Sequence, residues 1–111
     1  MQRAWIIGAI ILVLGAVSCS ARRSEPLVGP LALNAHEQQG QKVFMKNCYA
    51  CHPGGDAGLG PSLNDKPLPD FMIRLQVRHG FGAMPAFTPT DISDADLDAL
   101  LDYLSALKHH G

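Results

Sequence analysis

The chain reads as a small all-α protein, and three observations predict it. Leu97, Leu100, Leu101, Leu104 and Leu107 recur at i, i+3, i+4, i+7 and i+10, the spacing of one helical face. Helix-opening signals stand at Asn34, at Pro69 with Asp70, and at Ser93. No stretch alternates polar and apolar residues with the period of two that a half-buried strand requires, and no internal repeat is visible. At 111 residues the chain has room for one domain, which excludes a two-domain enzyme or a protein with several membrane spans. Nine Lys plus Arg against ten Asp plus Glu leave no basic footprint for nucleic acid. Aromatic residues make up only 6% of the chain, too few for a core built mainly on rings.

The apolar residues are unevenly placed. Residues 4–17 read AWIIGAIILVLGAV behind Arg3, and small Ser18 precedes Cys19. A charged start, a short apolar stretch and a small-residue cleavage region make up a secretory signal, here residues 1–18. Ala16-Val17-Ser18-Cys19 also resembles a bacterial lipobox, which makes Cys19 the lipid-modified first residue of the mature chain. An uncleaved membrane anchor and ordinary secretion are the competing readings, and all three place the rest of the chain outside the cytoplasm. Removal of residues 1–18 takes the only tryptophan, Trp5, and leaves a lean chain that needs a staple or cofactor for its core. Residues 19–33 carry Pro26 and Pro30 and no helical period, so they read as a tether. Arg22 and Arg23 within it are a weak signal for anionic headgroups, since such pairs are more often simply solvated.

The domain proper spans residues 34–111. Asn34 with Glu37 three residues on forms an N-x-x-E capping box for a first helix. Gly40 inside that helix costs about 1 kcal/mol relative to alanine, so with Phe44 at i+4 it implies close approach by another helix. Residues 53–69 are rich in glycine and proline and read as loop. Asp70 to His79 is a short helix closed by Gly80, and residues 80–89 are loop again. Ser93 caps the last helix, with Asp96 at its third position. Asp94, Asp98 and Asp102 lie four apart on a face that reads as surface.

Cys48-Tyr49-Ala50-Cys51-His52 is the C-x-x-C-H pattern of c-type haem attachment. Thiols at i and i+3 emerge on one side of a helical turn, placed to add to the two vinyl groups of a haem edge. His52, next to the second thiol, brings an imidazole under the iron. Three other readings compete. A redox dithiol belongs at a strand-to-helix junction, which is missing here; structural zinc needs four ligands; a simple disulfide leaves His52 unexplained.

With these residues in view, the sequence resembles the class I, mitochondrial-type monohaem cytochromes c over residues 34–108. The likeness rests on the first helix with Gly40 and Phe44, Cys48 to His52, Gly60-Pro61-Ser62-Leu63, Ala83-Met84-Pro85-Ala86-Phe87, and the last helix with Tyr103. The resemblance implies three to four helices around one covalently bound haem c, with Cys48 and Cys51 as its thioether links. It makes His52 and Met84 the axial iron ligands and Pro61 the carbonyl partner of the His52 ring. Met72 is the rival thioether, though a methionine on a short helix is usually core. His79 is the alternative in a bis-histidine protein; Met45, His36, His109 and His110 are poor candidates. Arg74 and Arg78, one turn apart, either face a propionate or form a solvated helix face.

With both axial positions filled, the expected function is single-electron transfer rather than catalysis. The partners are then a redox donor and acceptor, with the membrane engaged through a lipid or anchor, and the protein a monomer outside the cytoplasm. A haem subunit docked in an oxidase or dehydrogenase, and a haem sensor with a displaceable methionine, are the alternatives.

Overall fold

The computed structural model describes residues 30–56, 58–64 and 68–109. The expected export stretch, Cys19, Arg22, Arg23, most of the tether and His110 lie outside the described residues. Three helices carry the fold: α1 (Ala35–Asn47), α2 (Asp70–His79) and α3 (Asp94–His109). One 3-10 turn, Pro53–Gly55, interrupts the region expected to be loop throughout. No strand occurs among the described residues, only an isolated antiparallel bridge between Phe81 and Met84.

α1 begins where its capping signal stands. Asn34 Oδ1 accepts from the Glu37 backbone N–H at 2.9 Å, and a Glu37 carboxylate oxygen accepts from the Asn34 N–H at 2.7 Å. Both are reciprocal bonds that satisfy otherwise orphaned helix-end donors. α3 opens in the same way, its Asp96 N–H donating to Ser93 Oγ at 3.1 Å. It extends through Lys108 and His109, which form its last turn. Cations there complement the negative helix end. α2 has no side-chain cap; it starts after Pro69 and stops at Gly80, whose φ of +67° only glycine adopts without strain.

The core forms where α1 crosses α3. Leu97, Leu100, Leu104 and Leu107 are buried along the inward stripe of α3, with Ala99, Leu101 and Tyr103 beside them. Val43 and Phe44 of α1 meet this surface, and the Phe44 and Tyr103 rings lie 5.4 Å apart at a tilt of 54°, within the favoured range for aromatic pairs. Gly40 is what lets the helices meet. A Cβ built there would collide with the Ala99 carbonyl oxygen and lie 2.9 Å from Tyr103 Cβ.

The column of aspartates on α3 is exposed but not idle. Asp94 accepts from Arg78 and Asp98 from Arg74, both on α2, while Asp102 lies 2.7 Å from His36 Nδ1 on α1. Arg74 and Arg78 are thus each paired with a carboxylate of α3. Their one-turn spacing matches the four-residue spacing of the aspartates they meet. α2 thus packs on α3 through Val77, Ile73 and these two ion pairs.

Candidate functional site

The turn that follows α1 carries three of the residues singled out by the sequence. Cys48 N–H still donates to the Phe44 carbonyl at 2.8 Å, so the helical course continues past Asn47. The N–H groups of Cys51 and His52 then both donate to the Cys48 carbonyl, at 3.1 and 2.9 Å. This winds residues 48–52 into one tight turn bearing two free thiols and an imidazole. Burial, with the neighbouring Cys51 adding to it, pushes the free Cys48 thiol up to about 11.

His52 is only 7% exposed, and its seat is made by the loop that follows. Its Nδ1 lies 2.8 Å from the Pro61 carbonyl oxygen. A carbonyl can only accept, so Nδ1 carries the proton and the lone pair of the neutral ring is on Nε2, the nitrogen free to bind a metal. Gly60 packs flat against the ring; a Cβ there would lie 2.7 Å from both ring nitrogens. In the sequence the signal that marks Gly60 is its place directly before the carbonyl-bearing Pro61. Behind it, buried Ser62 donates to Asn64 Oδ1 at 2.6 Å, and Asn64 Nδ2 donates to Asp56 at 3.3 Å. The N–H groups of Leu63 and Asn64 close on the Gly55 carbonyl at 2.8 and 3.2 Å, fixing the loop that presents Pro61.

Met84 stands in the second loop, between α2 and α3. Phe81 and Met84 exchange backbone hydrogen bonds of 3.1 and 2.9 Å around Gly82, whose φ is +58°. The Met84 thioether is half-buried, with Sδ accepting from Gln76 Nε2 at 3.7 Å. Met72, expected to be core, is 44% exposed because the inward face of α2 is taken by Ile73 and Val77. Met45 and His79 are exposed on the surface as well.

One group of apolar side chains is conspicuous by exposure. Leu59, Leu68, Phe71, Met72, Leu75 and Phe81 face outward, Leu59 at 89% and Phe81 at 81%. Six large apolar side chains this exposed, on the loop after the Cys48–His52 turn, on and just before α2, and on the Met84 loop, leave apolar area for a ligand to cover. Two thiols on one turn, an imidazole with Nε2 available, a thioether and exposed apolar side chains are the donor set and apolar area that a flat iron macrocycle requires. Zinc finds no ligand set, since among the described residues no group of three or more His, Cys, Asp or Glu side chains is arranged to hold a metal ion.

Comparison with known proteins agrees. A family model described as cytochrome c oxidase, cbb3-type, subunit III matches residues 35–104, which takes in α1 and α2 whole and the first two thirds of α3. The chain belongs to the class I c-type cytochromes. Cytochrome c6 of Cyanidium caldarium is 30% identical over 92% of this chain and 95% of its own length. Cytochrome c6 of Bryopsis maxima is 35% identical over 59% of this chain and 84% of its own. The 4-cresol dehydrogenase [hydroxylating] cytochrome c subunit of Pseudomonas putida is 40% identical over 61% of this chain, which spans 59% of that subunit. No solved structure matches the chain significantly. This cytochrome therefore carries one haem c, attached through Cys48 and Cys51, and its function is electron transfer, not catalysis.

Proposed function

We propose that this cytochrome holds its iron between His52 and Met84 and shuttles single electrons outside the cytoplasm while tethered to a membrane. The observation that carries the ligand reading is the hydrogen bond from His52 Nδ1 to the Pro61 carbonyl. It fixes the ring orientation and tautomer and leaves Nε2 as the donor, and a carbonyl acceptor behind a ligating histidine raises its basicity. When bound, haem c supplies an iron that alternates between the ferric and ferrous states. Met84 would hold that iron by a soft thioether, which would favour the ferrous state. The loop backbone around Gly80 and Gly82 presents that thioether, and Pro85 stiffens the chain behind it.

Met84→Ala tests the ligand set. The haem stays covalently bound, the sulfur-to-iron charge-transfer band of the ferric protein is lost, and the reduction potential falls. An unchanged potential with the band intact would overturn Met84 ligation. The tether reading rests on residues 1–33: the apolar export stretch, Cys19 and the Pro-containing linker. Lipid on Cys19 would confine the domain to the membrane surface and raise its effective concentration toward neighbouring redox proteins.

A second reading has its own support. The matching family model is described as an oxidase subunit, and the cresol dehydrogenase relative is named as a cytochrome c subunit. By that reading the domain docks permanently in an oxidase or dehydrogenase. Mild detergent extraction separates the two: a fixed stoichiometric redox partner that copurifies favours docking, and a cytochrome that elutes alone favours the shuttle.

A further inference from the structure

Met84 sits on the segment from Gly80 to Ser93, which crosses from α2 to α3. Its first end is tied by the Gly80 N–H to the Gln76 carbonyl at 2.8 Å, and its middle by the Phe87 N–H to the Val77 carbonyl at 2.9 Å. The Thr88–Asp91 turn is local, its hydrogen bonds closing within the segment itself. Two side chains of α2 also reach the segment: Gln76, whose Nε2 donates to Met84 Sδ at 3.7 Å, and Arg78, which bonds its backbone. Arg78 Nη1 donates to the carbonyl oxygens of Phe87 at 3.1 Å and Ile92 at 2.8 Å, and Nη2 donates to Asp94 Oδ1 at 2.6 Å.

These three acceptors lie in the middle of the segment, at its far end, and in the first turn of α3. Among the described residues, Arg78 is the one side chain outside the segment that bonds its backbone. The Arg78 side chain is only 19% exposed, although its partner Asp94 is 83% exposed. Charge-assisted bonds to half-buried carbonyls resist screening and leave costly unpaired acceptors when removed. A planar guanidinium serves three acceptors at fixed directions, a geometry that a lysine ammonium does not reproduce. Arg74, one turn earlier, has a different role: it pairs with Asp98 on α3 and bonds no loop carbonyl among the described residues.

We propose that Arg78 is a positioning residue for the axial thioether, latching the Met84 segment against the junction of α2 and α3. This inference rests on the reading of Met84 as the iron ligand. Phe87 and Ile92 pack into the core on their own. The latch adds a direction to that packing, because it draws both carbonyls to one point and sets the course of the chain between Met84 and α3. Without it, the segment opens while the α1–α3 crossing persists, since none of the Arg78 acceptors lies on α1 or in the buried stripe of α3.

The test uses the haem-loaded protein in four forms: wild type, Arg78→Met, Arg78→Lys and Arg74→Met. The ferric charge-transfer band and far-ultraviolet ellipticity are followed through the same denaturant titration, and carbon monoxide binding to the ferrous form is timed. In Arg78→Met the band disappears at a lower denaturant concentration than the helices melt, and carbon monoxide binds about tenfold faster. Arg78→Lys falls between it and wild type, whereas Arg74→Met keeps the wild-type relation between band and ellipticity. Band and ellipticity lost together in Arg78→Met, with carbon monoxide binding as in wild type, would overturn the latch. The same separation appearing in Arg74→Met would also overturn it, by assigning the effect to general charge loss. If Arg78→Met does not accumulate with haem, Arg78→Lys carries the same comparison. A wild-type protein lacking the band overturns the Met84 reading and the latch with it. A wild type that has the band, matched by Arg78→Met in every readout, overturns the latch alone.

Discussion

At Gly60 the backbone runs so close to the His52 imidazole that any side chain must displace the ring. Gly60→Ala therefore tilts His52 away from the Pro61 carbonyl, costing about 1–3 kcal/mol by overpacking. Chemical denaturation should report that loss together with an altered reduction potential, since the ring loses the acceptor that orients it; an unchanged midpoint and potential would contradict the packing argument. Asp91 offers a pH signature on the Met84 segment. Hydrogen bonds from the Thr88 hydroxyl and then from its backbone hold this carboxyl below the usual carboxylate range. A depressed carboxyl stabilises the fold above its unfolded value of about 3.9 and loses that contribution as the pH falls through its folded value. Asp91→Asn should accordingly lower the thermal midpoint near neutrality and make no difference once the wild-type carboxyl is protonated. An offset that persists in strong acid would mean that the charge is not what matters.

Between elements, the α1–α3 crossing sets two opposed effects at one position. Alanine is favoured over glycine by about 1 kcal/mol inside a helix, so on propensity alone Gly40→Ala would stabilise α1. The Ala99 carbonyl stands in the way, and separating the helices costs the packing of Phe44 on Tyr103 as well. Gly40→Ala should therefore destabilise the domain despite the propensity gain, and a raised denaturation midpoint would show that the helices can part freely. Asn34→Ala removes the capping box at the other end of α1 and should cost about 1 kcal/mol without shifting the haem spectrum. Tyr103 adds an alkaline signature to the same crossing. Burial raises its phenol above the ordinary tyrosine value, with a Gln41 hydrogen bond opposing. Stability from the neutral phenol is present below about pH 10 and declines as the pH rises past that value.

Over the whole molecule, the charge pairs connect α3 to both other helices, while the buried leucine stripe makes one face of it the core. The exposed pairs contribute little individually, typically under about 1 kcal/mol, so the crossing and the attached haem carry the stability. No helix among the described residues is long and apolar enough to cross a membrane, and the proposed tether is residues 19–33. Cys19→Ala should move the cytochrome from the membrane fraction to the soluble one with its absorption spectrum intact. Labelled palmitate marking wild type and variant equally would remove the lipid from the account.

Much of this was legible locally because the signals are local. The capping box at Asn34, the Ser93 cap, the leucine stripe and the Cys48–His52 turn all depend on residues within a few positions of one another. Gly40 was legible too, since an otherwise unfavourable residue in a helix implies a neighbour, though not which one. Other features depend on distances across the chain. No short-range pattern shows that Arg74 and Arg78 meet Asp98 and Asp94, or that Met72 turns outward while Ile73 and Val77 turn in. Spacing and residue type are enough for the three helices and the attachment turn, and the resemblance that those residues carry points to the family. The fold adds the close packing of Gly60 on the His52 ring and the Arg78 bonds to the Met84 segment, because these contacts join residues that only folding brings together.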